Sequence, residues 1–105
     1  MYWIILAVAG VFEVLMTTTL KMSENFSKLW PSIGFFVTGA ISFFLLSQAM
    51  KTIPVGTAYA VWTGIGAFGT AIVGIVFFKE STDFWRIFFL LMLIVSIIGL
   101  KIVSK

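Results

Sequence analysis

The chain has 105 residues, of which 61% are hydrophobic and 10% are charged, and its mean hydropathy is +1.16. An ordinary soluble domain carries about 25% charged residues, so this composition argues against a soluble enzyme or a nucleic-acid-binding domain, and lipid is the expected solvent. The net charge of +3 comes from cations scattered singly rather than from a basic patch. Histidine and cysteine are both absent, so no usual zinc, haem or iron–sulfur ligand set exists and no cofactor is predicted.

Four apolar runs occupy about residues 2–20, 30–50, 55–78 and 84–100. Each approaches the roughly 20 residues that a membrane-spanning helix needs. The predicted fold is therefore an all-α integral membrane protein with four transmembrane helices in a single domain over residues 1–105. The first run lacks a basic N-terminal region and contains an acid, so we interpret it as a retained span rather than a cleaved signal peptide.

Glu13 lies in the middle of the first span and is the only acid within any apolar run. A charged group at the centre of a membrane helix costs about 3 kcal/mol, so such residues usually face an aqueous cavity and carry function. A proton and a cation that compete for this carboxyl group would make an exchanger. Helical spacing puts Met16 and Thr17 on the same face as Glu13. The alternative is a protonated Glu13 that only hydrogen-bonds a neighbouring helix.

The second span places Gly39, Ser42 and Leu46 on one helical face. Ser42 is the small polar group deep in this segment, and we expect its hydroxyl to support either Glu13 or Trp62. An equally weighted interpretation is that the hydroxyl bonds the backbone of its own helix.

The third span carries Tyr59, Trp62, Thr63 and Gly66 at helical spacing. Aromatic ring faces attract cations and their polar ends can bond a carboxylate, so this face is predicted to wall a cation site. Ordinary helix packing is the alternative. Gly64 and Gly66 weaken the helix and predict a bend. The fourth span has no titratable residue between Arg86 and Lys101, and we interpret it as a dimerisation helix.

The lysines and arginines hardly favour either orientation in the membrane. With four spans, Lys51, Lys101 and Lys105 share one side, and four cations share the other: Lys21, Lys28, Lys79 and Arg86. Orientation follows the excess of Lys and Arg in cytoplasmic loops, so a difference of one predicts insertion in both orientations and antiparallel pairs.

These features resemble the small multidrug resistance family over essentially the whole chain. The most specific element is IPVGTAYAVWTGIG at residues 53–66, and LKMSENFSKLWPS at residues 20–32 and Glu13 also match. The resemblance implies a dual-topology antiparallel homodimer in the bacterial cell membrane that exports small cations in exchange for protons. Glu13 from both subunits would form the central site.

The resemblance also implies supporting roles for particular residues. Ser42, Tyr59 and Trp62 correspond to the family's supporting side chains, residues 64–66 correspond to its third-helix bend, and the fourth helix corresponds to its dimer contact.

The subtype signals of this family are mixed. Thr63 and the sequence GLK at residues 99–101 resemble guanidinium exporters, whereas residues 13–32 resemble quaternary-ammonium exporters. Met16 stands where guanidinium exporters characteristically have Trp and drug exporters have Gly, and Gly39 stands where drug exporters usually place Tyr. We predict a proton-coupled antiporter of small organic cations, with guanidinium-type compounds ahead of quaternary ammonium drugs.

Three further interpretations stay open at this level. The chain is alternatively one subunit of a heterodimeric exporter, because departures of this kind also occur in unequal pairs. A non-transporting membrane subunit is the alternative from another functional class. A channel is disfavoured because no ring of charge or hydrophilic stripe lines a continuous path.

Overall fold

The computed structural model describes residues 1–103, which form four helices and contain no strand. The helices are α1 (Tyr2–Met22), α2 (Leu29–Ala49), α3 (Val55–Phe77) and α4 (Phe84–Val103). All four are long and apolar enough to cross a membrane, since 20 residues of helix extend about 30 Å. The predicted all-α class with four membrane-length helices is confirmed, whereas the antiparallel dimer and the single-domain assignment stay predictions.

The helices run alternately up and down through short connections. Ser42 of α2 bonds Ala9 of α1, while Gly34 nearer the start of α2 faces Thr19 nearer the end of α1, so these two helices are antiparallel. The contacts between α1 and α3 instead advance together along both helices, so these two are parallel. Gly10 packs against Ile65, Val14 against Gly69, and Thr17 against Thr70.

Glycine allows α1 and α3 to approach closely. A Cβ atom added to Gly10 would lie 2.5 Å from Ile65 Cγ2, which is far inside van der Waals contact. A Cβ on Gly69 would likewise overlap Val14. Small residues at helix interfaces in membranes permit this kind of backbone approach, and here they bring the side chain of Glu13 directly against α3.

The connection between α1 and α2 is held by one buried hydroxyl. Ser23 Oγ donates to the carbonyl of Leu20 at 2.7 Å and accepts the backbone N–H of Phe26 at 3.1 Å. Residues 24–26 all have positive φ, a left-handed conformation that costs L-residues about 1–2 kcal/mol each. Ser23 therefore fixes a sharp reversal that returns the chain into α2. An exposed ion pair between Lys28 and Glu24 spans the same loop, and its hydrogen bond and charge lower the pKa of Glu24.

The protomer is flat, with extents of 43 × 35 × 17 Å. Its small core lies where α1, α2 and α3 meet and consists of Leu6, Ala9, Leu46, Ala49, Ile53, Ala58, Val61 and Trp62. α4 packs against α3 alone, and none of its residues is buried in the protomer. The fold therefore leaves most of α4 free to contact lipid or another chain.

The helix directions also sort the charged residues by end. Lys51 and Lys101 lie at the end formed by the α2–α3 turn and the end of α4. The opposite end carries Lys21, Lys28, Lys79 and Arg86. Lys105, which the charge count also uses, lies outside the described residues.

Candidate functional site

Glu13 lies halfway along α1 with its carboxyl group pressed against α3. Its Oε1 atom is buried and has no hydrogen-bond partner among the described residues. The group lies over Gly66, because a Cβ atom at that position would overlap Oε1 and Cδ of Glu13. No other residue type at position 66 would leave this space, so Gly66 forms the floor on which the carboxyl group rests.

A cavity of about 360 Å³ opens beside this carboxyl group. Its polar lining comes from Glu13, from the three threonines Thr17, Thr63 and Thr70, and from Glu80 and Arg86 near the α3–α4 connection. The remaining wall is made of the small residues Gly66, Ala67 and Ala71 of α3. A half-buried carboxyl group, several hydroxyls and an otherwise small-residue wall form a pocket for a compact, polar, positively charged ligand.

Thr17 and Thr70 link α1 to α3 within this cavity. Their hydroxyl oxygens lie 2.6 Å apart, and Thr17 Oγ1 is also 3.1 Å from the carbonyls of Glu13 and Val14 in its own helix. The Thr17 hydroxyl therefore bonds backbone and a second threonine rather than the Glu13 carboxyl group. Its contact with Thr70 places two hydroxyls on the cavity wall.

Ser42 and Trp62 form a second polar group at the meeting point of three helices. Trp62 Nε1 donates to Ser42 Oγ at 2.9 Å, and Ser42 Oγ donates to the carbonyl of Ala9 at 2.7 Å. Both side chains are buried. Ser42 thus bonds Trp62, one of its two expected partners, and the backbone of α1 rather than that of its own helix.

Tyr59 and Phe43 extend an aromatic surface outward from Trp62. The ring centroids lie 5.8 Å from Trp62 for Tyr59 and 5.2 Å for Phe43, with tilted planes. Tyr59 and Phe43 are both more than half exposed in the protomer. This surface offers aromatic faces to a cation, or to a second chain, next to the buried Trp62 indole.

The structure places the remaining predicted residues at three locations. Thr63 and Gly66 line the Glu13 cavity. Met16 and Gly39 do not line it, because they pack against each other between α1 and α2, where a Cβ on Gly39 would lie 3.0 Å from Met16 Sδ. Gly64 faces α4, and a Cβ atom added to it would lie 2.7 Å from Ile97 Cδ1. α3 is continuous through residues 64–66, and the roles of these residues in substrate binding and bending stay predictions.

Sequence reasoning missed three polar cavity residues, namely Thr70, Glu80 and Arg86. Thr70 and Gly74 lie on the same face of α3 as Gly66 at four-residue steps, so helical spacing could have placed Thr70 beside the site. Glu80 and Arg86 carry no such signal, because hydropathy places them at the membrane surface and only the folding of the α3–α4 connection brings them to the cavity.

The chain is similar along its length to known membrane proteins. Residues 1–94 match the family described as Small Multidrug Resistance protein. A guanidinium exporter of Yersinia pseudotuberculosis is 56% identical over 104 residues, which cover 99% of this chain and 100% of that protein. One of Proteus vulgaris is 50% identical with the same coverage. One of Escherichia coli strain K12 is 50% identical over 102 residues, which cover 97% of each chain.

Proposed function

Because the chain belongs to the Small Multidrug Resistance family, we propose that it exports a guanidinium-type cation in exchange for protons. From its family and its four apolar helices, the chain is a multi-pass bacterial cell-membrane exporter of small cations and not an enzyme.

The observation that carries the proposal is the unpartnered Oε1 of Glu13 beside a cavity. Desolvation disfavours a bare carboxylate unless a counter-charge or a proton compensates it. No lysine, arginine or histidine of the described chain pairs with Glu13. A proton and a substrate cation each neutralise the same group, so the binding of one releases the other, and exchange requires only that the site face each side in turn.

The hydroxyl groups around Glu13 favour a guanidinium-type substrate. Guanidinium is planar and carries several N–H donors, and it pairs with a carboxylate through two parallel hydrogen bonds. Thr17, Thr63 and Thr70 line the same cavity, and threonine hydroxyl oxygens can accept N–H groups. A quaternary ammonium ion has no N–H donors and gains nothing from these acceptors. The relatives above are named guanidinium exporters, in agreement with this choice.

We also propose that two copies pair in antiparallel orientation. The Glu13 cavity has walls from α1, α3, the α3–α4 connection and Arg86 at the start of α4. Most of α4 and the Tyr59 surface remain open on the protomer. A second copy would supply the missing walls and a second Glu13. Opposite orientations would then give both membrane faces equivalent access to one central site.

Transport by purified protein in proteoliposomes tests this function. A guanidinium gradient should drive proton movement in the opposite direction, read by a pH-sensitive dye trapped inside the vesicles. Glu13→Gln keeps the size of the side chain but cannot exchange a proton, so we expect it to abolish both guanidinium flux and the coupled pH change. Glu24→Gln removes an exposed loop carboxylate and should leave both intact.

Two results would contradict the proposal. Coupled transport by Glu13→Gln at the wild-type rate would remove the carboxyl group from the mechanism, as expected of a subunit in which Glu13 only joins helices. Currents with a tetra-alkylammonium ion but none with guanidinium, measured on a solid-supported membrane, would assign the chain to the quaternary-ammonium subtype.

A further inference from the structure

The α3–α4 connection places an ion pair at one end of the Glu13 cavity. Arg86 Nη2 donates to Glu80 Oε1 at 2.7 Å, and Arg86 Nη1 donates to the carbonyl of Ser81 at 3.0 Å. Both side chains line the cavity that contains Glu13. They remain 30% and 47% exposed for Arg86 and Glu80, so the pair is reachable from water and can open without unfolding a helix.

The loop backbone fixes Glu80 at this position. The N–H of Glu80 donates to the carbonyl of Gly74 at 3.1 Å, and the Glu80 carboxyl group lies directly over Gly74, where a Cβ would overlap it. Glu80 thus rests on a glycine of α3 in the same way as Glu13 rests on Gly66. Both carboxyl groups occupy space that α3 leaves by lacking side chains.

A hydroxyl pair on α1 and α3 lies between these two carboxyl groups. Gly66, Thr70 and Gly74 follow one another at four-residue steps on one face of α3, so the row extends about 12 Å along the helix. Glu13 lies at its inner end, the Thr17–Thr70 contact at its middle, and Glu80 at its outer end.

Unsatisfied polar atoms follow the same row. Among the described residues, the buried side-chain oxygen and nitrogen atoms without a hydrogen-bond partner are Glu13 Oε1 and Thr18 Oγ1. Thr18 lines a second cavity of about 160 Å³, which shares Thr17, Thr70 and Glu80 with the first. Buried polar atoms without partners mark places where a ligand or water completes the hydrogen bonding. Here one is the Glu13 carboxyl oxygen itself, and the other belongs to Thr18, which lines a cavity together with Glu80.

The group that occupies Glu80 has the chemistry of the proposed substrate. The end of the Arg86 side chain is a guanidinium, so Glu80 already forms the type of pair that a free guanidinium-type cation would form with it. While the Arg86 guanidinium pairs with Glu80, it occupies an acceptor that an entering cation would need.

We infer that Glu80 is an outer binding site for the transported cation and that Arg86 closes it, because the substrate must displace the Arg86 guanidinium to reach Glu13. This inference rests on the proposed function. In an antiparallel pair, one such gate would face each side of the membrane, so entry and release would pass equivalent ion pairs.

If Arg86 closes the Glu80 site, substitutions of these two residues should change the guanidinium concentration for half-maximal transport in opposite directions. Glu80→Gln removes the outer acceptor and should raise the guanidinium concentration for half-maximal transport about fivefold, the scale of one exposed ion pair. Arg86→Gln removes the competitor and should lower that concentration by about the same factor. The double variant should resemble Glu80→Gln. An ion pair that only holds the loop together would change transport in the same direction in both single variants.

The experiment measures initial guanidinium flux against concentration in proteoliposomes, at low and high salt. The matched controls are Glu24→Gln and Lys28→Gln, which break the exposed ion pair of the α1–α2 loop and remove the same charges from the same end. Both controls should keep wild-type values. High salt should shrink the effect of Glu80→Gln, because screening weakens interactions between exposed charges.

The inference would be overturned if Glu80→Gln and Arg86→Gln changed the half-maximal guanidinium concentration in the same direction, or if neither variant changed it. If Arg86→Gln does not fold, Arg86→Lys keeps the charge but loses the forked geometry. It should still lower the half-maximal concentration, and a value at or above wild type would also overturn the inference. Glu13→Gln distinguishes failure of the gate from failure of the proposed function. If Glu13→Gln does not transport and the Glu80 and Arg86 variants keep wild-type values, only the gate is contradicted. If Glu13→Gln transports, proton exchange itself is contradicted.

Discussion

The Glu13 carboxyl group occupies the volume that any side chain at position 66 would fill. The contact is with the end of a flexible side chain rather than with backbone, so a larger residue would move the carboxyl group before it moved a helix. Position 66 therefore controls where the charge of Glu13 lies. This makes Gly66 a test of whether the position of Glu13, and not only its presence, determines cation binding.

Gly66→Ala should weaken guanidinium binding at least tenfold while the protein still folds. The added methyl group moves the Glu13 carboxyl group from its place beside the cavity, so a bound guanidinium should lose a hydrogen bond to it. Hydrogen bonds to charged groups are worth about 1.5–3 kcal/mol each, which corresponds to tenfold or more in affinity. Gly56→Ala is the matched control, because a Cβ there meets nothing within 4 Å. Equal binding by Gly66→Ala and wild type, measured by calorimetry in detergent, would contradict this role of Gly66.

Single residues differ in how far the sequence predicts their place. Glu13 is identifiable because an acid in an apolar run has no ordinary explanation, and Thr63 and Gly66 follow from helical spacing on α3. Thr70 lies on the same face one turn after Gly66, but spacing alone does not single it out because threonines commonly bond their own helix. Glu80 escapes sequence reasoning because residues 79–83 read only as the polar end of a span, and the turn that carries Glu80 back onto Gly74 depends on backbone geometry.

At the scale of helices, Ser42 is the point where α1, α2 and α3 are joined. Its hydroxyl uses both of its functions, donating to Ala9 of α1 and accepting from Trp62 of α3. Trp62 in turn carries the Tyr59 and Phe43 rings. The Ser42 hydroxyl of α2 therefore helps to orient the aromatic surface formed by these rings.

Ser42→Ala should lower the free energy of unfolding by about 1–3 kcal/mol, because it leaves the buried Trp62 N–H without a partner. Trp62→Phe removes that donor, so the double variant should be less destabilised than the sum of the two single variants. The expected coupling is about 0.6–1.7 kcal/mol, the range measured for hydrogen bonds between membrane helices. Additive effects in a double-mutant cycle, followed by denaturation in mixed micelles, would show that the bond contributes nothing.

Hydropathy predicts that the four helices exist, but it does not predict where they end, because backbone hydrogen bonds determine the ends. The apolar run at about residues 84–100 belongs to a helix that continues to Val103, past Lys101. Likewise α1 extends through Lys21 to Met22. A lysine at a span end reaches water with its long side chain while its backbone remains helical, so hydropathy underestimates such helices. Hydropathy also contains no information about which helix faces pair, and the α1–α3 contact through glycines emerges only in three dimensions.

At the scale of the whole molecule, flatness and charge balance lead to the same expectation. A protomer 17 Å thick with an open α4 would form half of a two-layer bundle in the proposed antiparallel pair, which would give the cavity walls on all sides. The cations at its two ends nearly balance, with Lys105 counted from the sequence. Antiparallel pairing satisfies both features, because it covers the open face and uses both orientations of one chain.

Changing the number of lysines at one end of the protomer should therefore fix its orientation in the membrane without altering the Glu13 site. Lys51→Gln with Lys101→Gln favours the orientation with the α1–α2 loop in the cytoplasm, and Lys28→Gln with Lys79→Gln and Thr52→Lys favours the opposite one. C-terminal reporters active on only one side of the membrane should give both signals for wild type and a single signal for each biased variant.

Each biased variant alone should fail to export guanidinium, and co-expression of the two should restore export, because an antiparallel pair needs one chain in each orientation. Adding Glu13→Gln to both partners is the control, and it should abolish the restored transport without changing either reporter signal. Export by a single biased variant at the wild-type rate would instead mean that parallel chains, or one chain alone, complete the Glu13 site.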